Sequence, residues 1–353
     1  MNSPFLRSGL EGLSEYSSEP LEGVDLDLRD NINLWGAPPR ALAAVRSAAS
    51  LVLQSYPSVG ANGLAEAIAA AAGVGADEVV SGCGSDDVID ACLRAVAAPG
   101  TRLAYADPTF SMIPVFARLN GLEPMAVPLL ADGSADVDGL LATGARVIYL
   151  CSPNNPTGTI TPPSEIRRLV DRAPGIVILD EAYAEFDTGI DWRPSAPSLE
   201  RLLVTRTFSK AWGLAGLRVG YGVGGRRLVA ATARTRGPYR VNALAELAAT
   251  TALREDAEWM RDVARQAVES RERLVAALQG RANVRAWDSR ANFAFLQVDG
   301  SAAEVARRFA ERSIGVRSFA GLTGVGDAVR IGVAPRESFD RVVAACEELW
   351  PCA

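Results

Sequence analysis

A lysine stands where a buried strand should end. Leu202, Leu203 and Val204 form a short apolar run of the kind that fills a fully buried strand, followed by the hydroxyls of Thr205, Thr207 and Ser209 and then by Lys210. An ammonium held away from water and unpaired shifts its pKa and tends to lose its charge. A neutral amine is a nucleophile toward aldehyde carbon. The hydroxyls, together with Arg218 in the glycine-rich segment that follows, suit a phosphate dianion, the guanidinium through a bidentate fork. Taken alone, Lys210 also reads as a surface lysine whose stem snorkels along apolar neighbours.

A second anion site is suggested upstream. After SGCGSDD the residues Val88, Ile89, Cys92, Leu93 and Val96 recur at helical spacing, and Ser85 is a natural N-cap. The amides of Gly84, Ser85 and Asp86 would then point at an anion with help from the helix dipole. An ordinary capped helix explains the same residues. The side chains of Asp86 and Asp87 should turn away from a bound phosphate, and the missing third glycine excludes a dinucleotide fingerprint. Strands are expected over Leu103–Ala106, Val147–Leu150 and Ile176–Leu179. The last two and the strand before Lys210 run into polar residues: Asn155, Asp180 and the cluster from Thr207 to Lys210. Open parallel α/β sheets bind ligands at that end.

From Thr207 to Tyr221 the sequence TFSKAWGLAGLRVGY resembles the lysine signature of fold-type I aminotransferases that use pyridoxal 5'-phosphate (PLP), the histidinol-phosphate aminotransferase branch in particular. Other pieces follow in that family's order over nearly the whole chain, among them ADPTF, CSPNNPTG, DEAY, GPYRVN and DSRANFAFLQ. The resemblance implies an α/β fold with a mainly parallel central sheet in a large PLP-binding domain (36–245). An N-terminal arm (1–35) precedes it and a smaller α+β C-terminal domain (246–353) follows. It implies that Lys210 holds PLP as a Schiff base and later moves the proton. Asp180 lies beneath the pyridine nitrogen, which makes the ring an electron sink. Asn155 and Tyr183 bond the phenolate oxygen, and Phe110 stacks on the ring, with core packing as its other reading. Gly84, Ser85, Asp86, Thr207, Ser209 and Arg218 hold the phosphate. Tyr56, otherwise a packed aromatic beside a turn, reaches the cofactor of a neighbouring subunit, so a homodimer with shared sites is implied. Tyr16, Asn33, Arg317 and Arg330 are assigned to substrate. Arg317 also reads as half of a surface ion pair.

The departures from the family's pattern concern substrate. Its usual Asn-Glu-Asn-Pro is here Asn31, Ile32, Asn33 and Leu34, closer to threonine-phosphate decarboxylases. Cys83, Asp87, Ile113 and Arg240 also differ. Three readings follow: an aminotransferase pairing glutamate and 2-oxoglutarate with a keto or aldehyde acceptor such as that of histidinol phosphate; a decarboxylase on the same scaffold, or a specialised secondary-metabolism paralogue; and a non-catalytic PLP-binding regulator. The last needs a DNA-binding domain, for which the short arm leaves no room.

The elements that must position these residues have plain signatures. Helical spacing covers Arg40–Leu53 and Leu64–Ala72, and a long amphipathic helix is expected over Thr251–Leu278. Val284–Gln297 and Val316–Val333 supply strands of the smaller domain, covered by helices Ala302–Ser313 and Glu337–Trp350. Between Val329 and Ile331, Arg330 should face the side opposite to its apolar neighbours.

Composition narrows the classes further. The 353 residues, 48% hydrophobic and 22% charged, can bury one large core and a smaller one. A net charge of −6 argues against nucleic acid as an obligatory partner, and the cluster Arg226, Arg227, Arg234, Arg236 and Arg240 reads as a solvated helix face. The 5 cysteines show no paired spacing, which suits free thiols in a reducing cytoplasm. Neither a signal peptide nor a membrane-spanning run is expected. There are 0 histidines, which removes histidine triads and histidine-ligated metals. Proton transfer near neutral pH is left to another group, and a lysine tuned by burial is the natural candidate.

Overall fold

The computed structural model describes residues 22–48, 54–187, 189 and 191–351. Two sheets carry the architecture. The larger has the strand order β2 (Val79–Cys83), β8 (Val219–Gly224), β7 (Leu202–Thr207), β6 (Ile176–Asp180), β5 (Val147–Cys151), β3 (Arg102–Asp107), β4 (Glu123–Pro128). All neighbouring pairs are parallel except the two that β8 makes, with β7 and β2. Strands β5 and β7 are buried along their whole length, as expected of parallel strands covered on both faces. Helices Gly84–Val96, Pro163–Arg172 and Asn62–Ala72 cover the sheet with their apolar stripes.

The smaller sheet is antiparallel, with the order β12 (Arg317–Leu322), β13 (Gly326–Gly332), β10 (Phe293–Val298), β9 (Val284–Ala286). Helices Ala302–Ala310 and Arg336–Leu349 bury Phe309 and Phe339 in its core. A short strand of the N-terminal segment, β1 (Leu26–Asp27), pairs in parallel with β11 (Ile314–Gly315). The two form a small sheet of their own, and Leu28 O accepts from Gly332 N of β13 at 3.1 Å, so the arm is tied to the smaller sheet before it reaches the first helix. Among the described residues, no helix is long and apolar enough to cross a membrane.

Three expectations change, each for a physical reason. The expected long helix is two, Ala243–Glu255 and Ala257–Ala277, with the break at Asp256. The carboxylate of Asp256 is turned toward the first helix, Pro39–Arg46, and accepts from Arg40 N at 3.1 Å and Ala41 N at 2.9 Å. That helix begins on prolines with no cap of its own, so its orphan amides are satisfied from far along the chain. It also ends at Arg46, well before Leu53, which lies outside the described residues. Lastly, Ser85 is not the cap of Gly84–Val96. Cys83 holds that position without a side-chain bond, and Asp87 reaches back to accept from Cys83 N at 3.2 Å.

Candidate active site

A cleft of about 730 Å³ opens at the carboxyl ends of β5, β6 and β7, with β12 and β13 of the smaller sheet as its opposite wall. The sheet register brings the polar strand ends together: Cys151 is level with Asp180, and Asp180 with Thr205. Lys210 lies just beyond β7 and lines the cleft. Its Nζ donates to the carbonyl oxygen of Asp30 at 2.8 Å and sits 5.8 Å from the centre of the Tyr183 ring. Burial, reinforced by the Arg330 charge, pulls the ammonium down to about 8, against the opposing carboxylates of Asp30 and Asp86.

Asp180 is buried and accepts three hydrogen bonds, from Tyr149 Oη at 2.7 Å, Thr205 Oγ1 at 3.1 Å and Ala182 N at 3.2 Å. All three donors are neutral. Burial outweighs them, the Asp86 charge adds to it, and the carboxyl is pushed up to about 6. This anion has neutral donors on every bond and gains most from a cationic ring nitrogen placed against it. The same burial holds the Tyr149 hydroxyl well above its ordinary range and pushes Tyr183 up to about 12, although the Arg330 charge pulls the other way.

An anion cradle lies at the other end of the cleft. Ser85 and Asp86, from the start of helix Gly84–Val96, line it with Thr207, Ser209 and Arg218. Arg218 adopts φ +53°, the left-handed region that an L-residue enters only at a cost. Its Nη1 donates to Ser209 Oγ at 3.3 Å and to Ala215 O at 3.2 Å. Two glycines keep the cradle open. A Cβ at Gly84 would come within 2.7 Å of Arg218 Nη2, and one at Gly220 within 2.2 Å of Ser85 N. Donor set, backbone clearance and helix N-terminus together fit a phosphate, and Asp180 fits a pyridinium. PLP therefore fits the residues present.

Asp86 differs from expectation. Its carboxylate faces the cleft and pairs with Arg218 at 3.6 Å, drawn there by the guanidinium, while burial raises its pKa. Asp87 does turn away, toward Arg236 at 3.4 Å and Arg240 at 3.6 Å. On the opposite wall, Arg330 is buried, with Nη1 donating to Asn155 Oδ1 and Nη2 to Arg29 O, each at 2.5 Å. Its guanidinium lies over Phe293 at 5.4 Å and Phe319 at 5.8 Å. Arg317 is level with Arg330 across the β12–β13 pair and also lines the cleft. Phe110 is part of the lining and packs against the core behind it.

One expected site residue falls elsewhere. Asn33 donates to Ala211 O at 2.8 Å and accepts from Trp35 N at 2.9 Å, so it fastens the loop beside Lys210 and does not line the cleft. Asn31 is the asparagine of that stretch in the lining, where φ +53° turns it inward. Tyr56 stacks on Tyr239 at 4.7 Å, 82% exposed and away from this chain's own cleft. Tyr16 lies outside the described residues. Sequence reasoning missed Tyr149 and gave the Thr205 hydroxyl to a phosphate, whereas strand register sets both against Asp180. It also missed Phe319 and Leu322. For Phe319 the alternation with Arg317 along β12 was the available signal; Leu322 breaks that alternation because the register shifts between the two.

The family model for aminotransferase class I and II matches residues 24–346. An aromatic amino acid aminotransferase of Corynebacterium glutamicum is 36% identical over 319 residues, spanning 88% of this chain and 89% of that protein. A histidinol-phosphate aminotransferase of Roseiflexus castenholzii is 36% identical over 353 residues, spanning 96% and 93%. Among solved structures, the histidinol-phosphate aminotransferase of Sinorhizobium meliloti in complex with pyridoxal-5'-phosphate superposes with a TM-score of 0.88 at 24% identity, covering 99% of this chain and 98% of that one.

Proposed function

The chain belongs to the class I and II aminotransferases and is a PLP-dependent transaminase of fold type I, and from that premise we propose how its cleft divides the work and what it accepts. One observation carries the reading: Lys210, Asp180, Arg218 and Arg330 line a single cleft. When bound there, PLP supplies an aldehyde for amines to add to and a ring that takes up the electron pair of a broken C–H bond. The remaining work belongs to the protein. Lys210, with its pKa lowered to about 8, anchors the aldehyde and, once displaced, carries the proton as general base and acid. Asp180 would keep the ring nitrogen protonated, and Asn155 and Tyr183 would bond the ring oxygen. Phe110 covers the ring. Arg218, Ser209, Thr207 and the amides at Gly84, Ser85 and Asp86 hold the phosphate.

Arg330 grips the substrate's carboxylate beside Asn155, and Arg317 takes a second anion, either a side-chain carboxylate or a phosphate. Between them Phe110, Met112, Phe319 and Leu322 give the outer cleft an apolar wall. That wall suits a planar side chain, aromatic or imidazole-like. The substrates so described are glutamate with 2-oxoglutarate as one pair, and an aromatic amino acid or histidinol phosphate as the other. The names of the relatives point to the same two choices. A homodimer completes the site. The exposed Tyr56–Tyr239 pair is the face through which Tyr56 would reach a neighbour's phosphate. The large PLP-binding domain and the smaller C-terminal one meet across the cleft.

A single-turnover screen tests this. The holoenzyme is mixed with glutamate, phenylalanine, histidinol phosphate or phosphothreonine, and its visible spectrum and products are followed. Amino transfer from glutamate and from one planar-side-chain amine is expected. Carbon dioxide release from phosphothreonine without amino transfer would overturn the reading in favour of a decarboxylase.

A further inference from the structure

Asp180 ends β6 between two strands, and each neighbour sends it one hydroxyl. From β7, Thr205 stands level with it and donates to Oδ1 at 3.1 Å. From β5, Tyr149 starts lower in the sheet, level with Ile178, and its longer side chain reaches Oδ2 at 2.7 Å. The third donor, Ala182 N, also goes to Oδ1, at 3.2 Å. Asp86, Cys151 and Tyr183 feel the same charge, and among the described residues none of their side chains hydrogen-bonds to it.

The two oxygens are therefore unequal. A carboxylate offers about four lone pairs, two on each oxygen. Oδ1 has filled both of its own, and Oδ2 has filled one. The place left for one more donor is thus on the oxygen that Tyr149 already holds. Tyr149 is 1% exposed, so bulk water does not compete for its hydrogen. The neighbouring Cys151 thiol is turned to Pro153 O at 3.2 Å. The phenol is committed to the carboxylate.

We propose that Tyr149 is a positioning residue for the proton shared between Asp180 and the cofactor's ring nitrogen: by donating to the one oxygen with a lone pair to spare, it weakens that oxygen as a base and keeps the proton on the ring. The inference rests on Asp180 facing the ring nitrogen. Two bases then compete for one proton. A second donor on the shared oxygen stabilises the anion and favours the ion pair. Without it the carboxyl draws the proton back, both partners become neutral, and the ring loses its pull on electrons. Thr205 supports the same anion from the other oxygen, through a longer bond. A tyrosine kept only for its packing would make no such demand, because phenylalanine fills the same space.

The test follows the ring nitrogen of the holoenzyme by NMR, with PLP isotope-labelled at that atom. The wild type should give the signal of a protonated ring, and Asp180→Asn that of a neutral one. Tyr149→Phe, which keeps the packing and removes one oxygen, should lie between them. Thr205→Val should lie nearer the wild type than Tyr149→Phe does. A hydrogen bond to a charged group is worth about one pH unit, so the half-reaction of Tyr149→Phe should slow by up to about 10-fold. In cofactor-free protein, the cost of burying the Asp180 charge levels off above about 6 in the wild type, and that point should climb by about one unit in Tyr149→Phe. An unchanged signal in Asp180→Asn ends the reading of Asp180, and this inference with it. If Asp180→Asn moves the signal but Tyr149→Phe does not, or if Thr205→Val moves it at least as far as Tyr149→Phe, the assignment of Tyr149 alone is wrong. Should Tyr149→Phe not retain PLP, its unfolding without cofactor decides, and an unshifted pH dependence overturns the assignment.

Discussion

Replacing Asp180 with asparagine should stabilise the cofactor-free protein while disabling it. The carboxyl is buried and pushed up to about 6, whereas an aspartate in an unfolded chain titrates near 4. Holding the anion inside therefore costs the fold about 3 kcal/mol once both states are ionised. The sign follows from the raised pKa. Below pH about 4 the group is protonated in both states and costs nothing. The penalty then grows as pH rises through about 6 and is constant above. Asparagine keeps an oxygen for Thr205 Oγ1 and Ala182 N, which share Oδ1, turns its amide toward the Tyr149 hydroxyl, which can accept instead, and never ionises, so it escapes the penalty. Urea unfolding of cofactor-free Asp180→Asn should match the wild type near pH 4 and exceed it by up to about 3 kcal/mol at pH 8. In the role proposed for Asp180, the same change removes the charge opposite the ring nitrogen and should slow the half-reaction by about 100-fold or more. A stability difference that does not vary with pH would refute the electrostatic account, because a packing effect has no titration. Equal stability at pH 8 with normal turnover would refute the assignment of Asp180 altogether.

Behind the same strands, Arg206 pairs with Glu181 at 2.7 Å, Glu185 at 3.1 Å and Asp191 at 3.4 Å, and Glu181 is fully buried. Arg206→Ala strands the Glu181 charge and should cost about 3–5 kcal/mol in thermal or urea unfolding, whereas Arg206→Met with Glu181→Leu should recover most of it. An equal loss in the double variant would show that the guanidinium's packing matters and the charge does not. For Lys210, held near 8 by burial, the rate at which cofactor-free protein captures PLP should rise with pH and level off above about 8, since only the unprotonated amine adds to an aldehyde. An inflection near that of an ordinary exposed lysine, about 10, would remove burial from the explanation.

What the sequence made visible, and what it hid, divides along one physical line. Lys210, Asp180, Asn155 and Arg330 were legible because each interrupts or follows an apolar run, and a strand's alternation says which side such a residue faces. Groups that act through pairing were not. Tyr149 is unremarkable inside its strand and Thr205 reads as a phosphate ligand, and both instead meet Asp180 because parallel register sets them beside it. Asp256 breaks a continuous helical pattern because its carboxylate is needed by amides more than 200 residues earlier, at Arg40 and Ala41. Asn33 and Asn31 were confused because local sequence does not reveal which of two neighbouring asparagines takes the left-handed turn.

The pleat of β7 carries this one step further. Thr205, bonded to Asp180, and Thr207 in the cleft lining face the same side of the sheet, so Arg206 between them must point to the opposite face, where it binds Glu181, the residue after Asp180. The two faces of one strand thus grip one short segment, Asp180–Tyr183, from both sides. Thr205 holds the carboxylate that lines the cleft, and Arg206 holds the one behind the sheet. An anion forced to stay buried and ionised beside neutral donors needs its backbone fixed by something other than its own favourable interactions. The charged cluster behind the sheet supplies that. On this view the Arg206→Ala variant should lose cofactor affinity as well as stability, although Arg206 is absent from the lining of the cleft.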